Sequence, residues 1–199
     1  MKNLEEFYKM NKINVTEGNI NQHQKQSFDI KNILKKNNPT KIMEIGFNAG
    51  HSAELFLSNS NAYLYSFDIG EHFHEYLKYG KQFINMKYPN RHTLVFGNSL
   101  ETIPKFAKNN EILFDIIFID GGHDYEVAYG DLMNCRLISH KETIIIMDDI
   151  VSKDNLQAGY TIGPSKAWNN LIKKNLLTEI SHFDYGFGKG QSIGKYINL

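Results

Sequence analysis

Short apolar runs alternate with amphipathic stretches from residue 39 to the end of the chain. The runs are rich in β-branched and aromatic side chains, which is typical of strands, and the stretches between them have helical spacing. Seven runs predict strands: Lys41–Ile45, Tyr63–Phe67, Thr93–Phe96, Phe114–Ile119, Thr143–Met147, Glu179–Tyr185 and Ser192–Ile197. Five stretches predict helices: His51–Leu57, His72–Lys87, Ser99–Lys108, Tyr125–Ile138 and Ser165–Lys174.

Strands separated by helices at this rhythm imply right-handed crossovers and a mostly parallel sheet. We therefore predict an α/β fold with a Rossmann-like, doubly wound sheet of seven strands. The last two strands are joined by the Gly-rich stretch Gly186–Gly190. This stretch predicts a C-terminal hairpin, which places one antiparallel strand in the otherwise parallel sheet.

The first 38 residues differ from the rest of the chain because they are polar and rich in Lys, Asn and Gln. One helical pattern covers Ser27–Lys36 and ends at Asn37-Asn38-Pro39, and a looser segment is expected before it. The sequence thus predicts an N-terminal helical extension over residues 1–38 and one domain over residues 39–199. Val151–Gly163 lacks periodicity and is a candidate substrate lid.

Composition limits the partners of this chain. The formal net charge is +0 and the pI is about 7.1, so no overall electrostatic footprint for nucleic acid is present. The single cysteine, Cys135, is interpreted as a buried apolar residue, and no apolar run is long enough for a signal peptide or a membrane span. We expect a soluble, cytoplasmic protein without nucleic-acid or membrane partners; the oligomeric state is open, and a homodimer is one alternative.

Acidic residues recur at the ends of the predicted strands. In an open parallel sheet the carboxyl ends of the strands face one crevice, where ligands bind. Five carboxylates at one edge of a neutral protein must each be hydrated, hydrogen-bonded or bound to a cation. These residues are Glu44, Asp68, Asp120, Asp148 and Asp149.

The Gly46–Gly50 turn after the first strand is the first indication of a cofactor. Glycine lets the backbone approach a ligand, and the N–H groups of the following helix suit an anionic group. Asp68 at the end of the second strand can accept hydrogen bonds from ribose hydroxyls, and Gly97-Asn98-Ser99 forms a polar bend near the expected adenine. The spacing is Gly-x-x-x-Gly rather than the dinucleotide pattern, so an adenosine-containing ligand other than NAD is favoured.

Five motifs follow in order between Lys41 and Ile150, a little over half of the chain. They are Glu-Ile-Gly-x-x-x-Gly-x-Ser-Ala, Phe-Asp, Gly-x-Ser-x-x-x-Ile-Pro, Phe-Asp-Ile-Ile-Phe-Ile-Asp-Gly-Gly-His and Met-Asp-Asp. Together they resemble the class I S-adenosylmethionine-dependent O-methyltransferases, both the catechol type and the related bacterial and viral enzymes that act on small molecules or sugars. The resemblance implies transfer of a methyl group to a hydroxyl of a small molecule or sugar.

The resemblance also implies a role for each matching position. The methionine moiety would lie at Glu44 and Gly46, with Ser52 near its carboxylate. The remaining cofactor-binding residues would be Asn48, Asp68 at the ribose, Asn98 and Ser99 at the adenine, and Asp120.

The catechol-type enzymes bind a divalent metal at the positions of Asp120, Asp148 and Asp149. Their last ligand is typically Asn, and this chain has Asp149 instead, which keeps an oxygen ligand and adds charge. A set of hard oxygen ligands is right for Mg²⁺. The metal would lower the pKa of the acceptor hydroxyl and fix its position.

His123 follows Asp120 by three residues, where the catechol-type enzymes carry a basic residue that serves as general base. Histidine suits proton abstraction near neutral pH, so His123 and Asp120 are the candidate catalytic residues. Two other roles for His123 stay open: contact with the cofactor or metal, and a structural role at the helix that starts near Tyr125.

Other polar residues receive simpler interpretations. His51 is expected at the surface or at the substrate rim, and His72 and His74 at a solvated helix start. Lys189 is expected in solvent, with a position that reaches the site as the alternative. Trp168 is expected in the core. Two rival functions remain beside the methyltransferase: a nicotinamide-dependent oxidoreductase and a non-catalytic binding domain of the same fold.

Overall fold

The computed structural model describes residues 3–71, 74–152, 159–186 and 188–199, with the side chain of His74 left out. The chain forms two compact units, residues 1–97 and residues 98–199. The described residues contain seven strands and seven α-helices. No helix in the described ranges combines the length and the apolar character that a bilayer crossing needs.

The first unit holds three parallel strands, with β2 (Tyr63–Asp68) paired to β1 (Lys41–Ile45) on one side and to β3 (His92–Phe96) on the other. β1 is buried at four of its five positions, as is typical of a strand in a parallel sheet that is covered on both faces. The elements of this unit are α1 (Leu4–Met10), a 3₁₀ turn (Ile20–Gln22), α2 (Gln24–Asn37), β1 (Lys41–Ile45), α3 (His51–Asn59), β2 (Tyr63–Asp68), α4 (His74–Lys87) and β3 (His92–Phe96).

The second unit holds four strands. β4 (Phe114–Ile119) and β5 (Ser139–Asp148) are parallel. β7 (Lys189–Tyr196) runs antiparallel to both β5 and β6 (Leu177–Gly186). The pairing of β6 with β7 shifts register twice, between Glu179 and Ser181 and between Asp184 and Gly186. The elements are α5 (Ser99–Asn109), β4 (Phe114–Ile119), α6 (Tyr125–Cys135), a 3₁₀ turn (Arg136–Ile138), β5 (Ser139–Asp148), α7 (Gly159–Lys173), β6 (Leu177–Gly186) and β7 (Lys189–Tyr196).

The prediction of a looser segment before the second helix is wrong for Leu4–Met10, which form α1, while residues 11–19 contain no helix or strand. The Asn3 side chain caps this helix by accepting a hydrogen bond from the Glu6 N–H, and the Leu4 N–H donates to the Glu54 carboxylate of α3. The Tyr8 hydroxyl lies 2.7 Å from the Ala49 carbonyl oxygen. A seven-residue helix has little stability of its own, so these tertiary contacts hold it.

The last helix also begins earlier than predicted, at Gly159 instead of Ser165. Pro164 resembles a boundary in the sequence, but it lies inside α7. The preceding turn of the helix is held by burial, since Thr161 and Gly163 are both buried. Part of the candidate lid is therefore helical, while residues 153–158 lie outside the described residues.

Asp131 is a buried carboxyl in α6, away from the strand ends. Its side chain is fully buried, and neither carboxyl oxygen has a hydrogen-bond partner at normal geometry among the described residues. Burial raises the pKa of Asp131 to about 6, and the Ser99 hydroxyl only partly opposes the shift. The ionised form thus destabilises the fold.

We expect Asp131→Asn to stabilise the protein above pH 6. Because the folded-state pKa of Asp131 is raised, the contribution of this residue to the free energy of unfolding falls as pH rises from about 4 to about 6. The loss reaches up to about 2–3 kcal/mol, and this contribution does not change at higher pH. Urea unfolding of both proteins at pH 4, 6 and 8 measures this. Glu126→Gln, at an exposed position of the same helix, is the control. A stability difference between Asp131→Asn and wild type that does not change with pH would contradict the expectation.

Candidate functional site

The glycine turn, residues Gly46–Gly50, connects β1 to α3 in backbone conformations that favour glycine. Gly46 and Gly50 have φ angles of 93° and 82°, and Asn48 has a φ of 44°. The Gly50 N–H donates to the Phe47 carbonyl oxygen at 2.7 Å. α3 begins directly after the turn, so the free N–H groups of its first helical turn follow the glycine turn, as predicted for an anion-binding element.

Asp68 at the end of β2 is bonded to this turn. Its Oδ2 accepts hydrogen bonds from the N–H groups of Phe47 and Asn48, each at 2.9 Å, and its Oδ1 accepts from the Gly70 N–H at 2.8 Å. The carboxylate thus fixes the shape of the glycine turn, a function that the sequence analysis did not include. Contact between Asp68 and a ribose stays a prediction.

Glu44 and Ser52 lie together, as their assignment to one moiety of the cofactor requires. The Ser52 hydroxyl donates to Glu44 Oε2 at 2.6 Å, and the Ser66 hydroxyl donates to Glu44 Oε1 at 2.5 Å. Burial raises the pKa of Glu44 to about 7, although these two hydrogen bonds act in the opposite direction. Glu44 is fully buried, so its contact with a cofactor also stays a prediction.

Asn98 and Ser99 begin the second unit at the start of α5. The Asn98 side chain caps this helix by accepting a hydrogen bond from the Leu100 N–H at 3.0 Å. A polar bend is present at this position as predicted, and the cap explains its asparagine without a ligand. The adenine contact of both residues stays a prediction.

The acidic cluster comprises Asp120, His123, Asp148, Asp149 and Lys189. His123 Nε2 lies 3.0 Å from Asp149 Oδ2, and Lys189 Nζ lies 2.7 Å from Asp148 Oδ2 and 3.0 Å from Asp149 Oδ1. One potential metal-ligand atom from each of Asp120, His123 and Asp149 lies within 4.8 Å of the other two. The acids of the cluster and His123 line a small depression between the ends of β4 and β5 and Pro164 of α7.

The charges of this cluster act on one another. Burial and the neighbouring Asp148 raise the pKa of Asp120. Burial would raise the pKa of Asp149 as well, but hydrogen bonds from His123 and Lys189 outweigh it and lower that pKa. The hydrogen bond to Asp149 raises the pKa of His123. The cluster therefore favours ionised Asp149, which pairs with both His123 and the Lys189 ammonium group.

The backbone around the cluster is closely constrained. Asp149 has a φ of 58°, a conformation that residues other than glycine rarely adopt, and such strain concentrates at functional sites. The Asp149 N–H donates to Asp148 Oδ1 at 2.9 Å. Gly163 of α7 approaches the loop that carries His123 so closely that a Cβ there would lie 2.0 Å from the His123 carbonyl oxygen.

Two predictions about polar residues are wrong. Lys189 is not in solvent: its side chain is 18% exposed, because the antiparallel pairing of β7 with β5 brings it to the acidic cluster. His51 is not at the surface either: it is buried, and its Nε2 lies 2.9 Å from the Glu5 carboxylate of α1. The sequence pattern does not predict α1, whose Glu5 binds His51.

The predictions for Trp168 and Cys135 are confirmed, and those for His72 and His74 cannot be compared with the structure. Trp168 and Cys135 are buried, as expected. The Trp168 indole N–H donates to the Glu179 carboxylate at 2.7 Å. The prediction for His72 and for the side chain of His74 lies outside the described residues.

Comparison with solved structures supports the fold. An O-methyltransferase from Bacillus cereus in complex with S-adenosylhomocysteine (SAH) has a TM-score of 0.73 and 16% identity, over 98% of this chain and 90% of that one. An O-methyltransferase from Streptomyces achromogenes involved in tomaymycin synthesis, in complex with S-adenosylmethionine (SAM), has a TM-score of 0.74 and 12% identity, over 98% and 88%. The TDP-rhamnose 3'-O-methyltransferase of calicheamicin biosynthesis has a TM-score of 0.65 and 17% identity, over 95% of this chain and 91% of that one.

These similarities confirm the predicted Rossmann-like α/β fold with its seven-stranded, mostly parallel sheet and C-terminal antiparallel strand. No curated protein sequence matches the chain. A family model described as a methyltransferase domain matches residues 43–150, more than half of the chain and the same region that carries the five motifs. The chain therefore belongs to the methyltransferase-domain family.

Proposed function

We propose that this protein transfers the methyl group of SAM to a hydroxyl group of a small molecule or sugar. The observation that carries the proposal is the pairing of His123 with Asp149 beside Asp120 and Asp148, in a chain of the methyltransferase-domain family. Two solved structures of the same fold are O-methyltransferases with bound SAH or SAM, and a third is a TDP-rhamnose 3'-O-methyltransferase. No feature of the acidic cluster favours hydride transfer, so the oxidoreductase is not retained.

In this proposal His123 is the general base. Its side chain is 47% exposed, and Asp149 binds Nε2, which orients the ring and stabilises its protonated form. Nδ1 then takes the proton of the acceptor hydroxyl. The hydroxyl oxygen forms a bond to the methyl carbon while the carbon–sulfur bond breaks, and the sulfur keeps the electron pair as a neutral thioether.

The glycine turn would bind the cofactor at the N-terminus of α3, with Asp68 keeping the turn in shape. Glu44, Gly46 and Ser52 remain the candidates for the methionine end, and Asn48 remains a candidate cofactor-binding residue. Asn98 and Ser99 remain the candidates for the adenine. Holding the methyl group and the acceptor oxygen in near-attack geometry supplies a large part of the expected rate.

A divalent cation fits the donor chemistry of the acidic cluster. Carboxylate oxygens are the ligands that Mg²⁺ prefers, and such ions are bound by one or two carboxylates with several waters retained. Asp120, Asp148 and Asp149 would hold the ion, with His123 close enough to contribute. When bound, it would lower the pKa of the acceptor hydroxyl and fix its position.

Calorimetry with SAH and with NAD⁺ tests the cofactor directly. We expect SAH to bind and NAD⁺ not to bind, and we expect Asp68→Ala to weaken SAH binding at least tenfold because three backbone N–H groups lose a charged acceptor. Asp184→Ala is the control, since Asp184 also accepts a backbone N–H, in the β6–β7 hairpin. NAD⁺ binding without SAH binding would overturn the proposal.

Turnover is tested by following SAH formation from SAM with a panel of catechols, phenols and nucleotide sugars. We expect SAH to form only with an acceptor present and to stop in excess chelator. SAH formation that continues at the full rate in chelator would remove the metal from the proposal and leave methyl transfer intact.

A further inference from the structure

Lys189 brings a positive charge into the acidic cluster from the start of β7. Its ammonium group lies within hydrogen-bond distance of one oxygen of Asp148 and one oxygen of Asp149, whose side chains are 3% and 7% exposed. The Lys189 side chain is itself mostly buried. The pair of adjacent carboxylates is therefore already bound to a cation that belongs to the chain.

The backbone beside Lys189 is fixed against the acidic cluster. The Ile150 N–H donates to the Gly190 carbonyl oxygen at 3.1 Å, and Asp148 is the register partner of Gln191. A Cβ on Gly190 would lie 2.3 Å from the Ile150 carbonyl oxygen, so the two segments are in close contact. The ammonium group can leave the carboxylates by rotation of the flexible lysine side chain while this backbone keeps its position.

A divalent cation and this ammonium group compete for the same oxygens. A metal bound to both Asp148 and Asp149 would lie close to the Lys189 ammonium if that group kept its position. Like charges at such a separation repel strongly in a partly buried site. Metal binding through both carboxylates thus requires Lys189 to move.

We propose that Lys189 is a built-in competitor for the divalent cation. Without metal, its ammonium group holds Asp148 and Asp149 together; when metal binds, it gives up these oxygens and moves away. This inference rests on the metal site of the proposed function. It predicts that Lys189 lowers the affinity for metal and stabilises the metal-free protein.

The test measures metal binding rather than catalysis. Lys189→Met keeps the apolar part of the side chain and removes the charge, and Lys189→Arg keeps the charge. Lys195→Met is the matched control, because Lys195 lies in the same strand and pairs with the exposed Glu142. Calorimetric titration with MgCl₂ and with MnCl₂ gives the affinities, and thermal unfolding with and without chelator gives the stabilities; Lys189→Gln replaces Lys189→Met if that variant does not fold.

We expect Lys189→Met to bind both metals at least tenfold more tightly than wild type, and to unfold at a lower temperature than wild type in chelator. Lys189→Arg and Lys195→Met should bind metal as wild type does. Equal metal affinity of wild type and Lys189→Met would overturn the inference alone. No binding of either metal to any of these proteins would overturn both the inference and the metal site of the proposed function.

Discussion

Replacement of His123 by glutamine is expected to lower kcat by about 10²–10⁴-fold, the range that loss of a general base usually costs. Glutamine keeps a polar side chain beside Asp149 but cannot accept the hydroxyl proton. The affinity for SAH should stay unchanged, because His123 is assigned to the acceptor and not to the cofactor. Single-turnover kinetics with saturating SAM, together with SAH calorimetry, separates the two effects.

His140→Gln is the matched control for this experiment. His140 is also a partly exposed histidine of the second unit, and its Nε2 lies 3.2 Å from the Asp115 carboxylate. A general loss of a histidine–aspartate pair would affect both variants, whereas loss of the base affects His123→Gln only. Full kcat in His123→Gln would show that another group takes the proton.

Gly163→Ala is expected to lower both stability and activity. The added Cβ would lie 2.0 Å from the His123 carbonyl oxygen and 2.7 Å from the Tyr125 backbone nitrogen, so α7 or the His123 loop must shift. Overpacking of this kind costs about 1–3 kcal/mol, which for a chain of this size lowers Tm by about 3–10 °C. Displacement of His123 should lower kcat at least tenfold, because small errors in the position of a reacting group are costly.

Gly159→Ala provides the comparison for this substitution. Gly159 belongs to the same helix, and no heavy atom of the described residues lies within 4 Å of a Cβ built there. Alanine is the better helix former by up to about 1 kcal/mol, so Tm should stay equal or rise. Indistinguishable Tm and kcat for the two variants would mean that the contact between α7 and the His123 loop is unimportant.

Strands buried on both faces could be predicted from the sequence because their apolar runs are continuous. β1 and β4 have the predicted bounds. As expected, Asp68 is the last residue of β2, and Asp120 directly follows β4. The hydrogen bonds of these acids could not be predicted. Asp68 follows a strand in the sequence, but its bonds to the glycine turn depend on the parallel register of β1 and β2.

Helix α1 and the place of Lys189 could not be predicted, because both depend on contacts between residues far apart in sequence. The seven residues of α1 have too few turns for a periodic signal, and Glu54, which binds its first N–H, lies 50 residues away. Lys189 lies 40 residues from Asp149. Only the register of β7 against β5 distinguishes it from the other lysines of the chain.

The irregular strand β6 has a consequence for how this protein behaves at high concentration. Ten residues at the edge of a sheet would ordinarily offer backbone N–H and C=O groups to a neighbouring molecule. The two register shifts disturb that row of groups, and the exposed Glu179 and Asp184 add negative charge along it. Strand-by-strand addition of further molecules is therefore disfavoured at this edge.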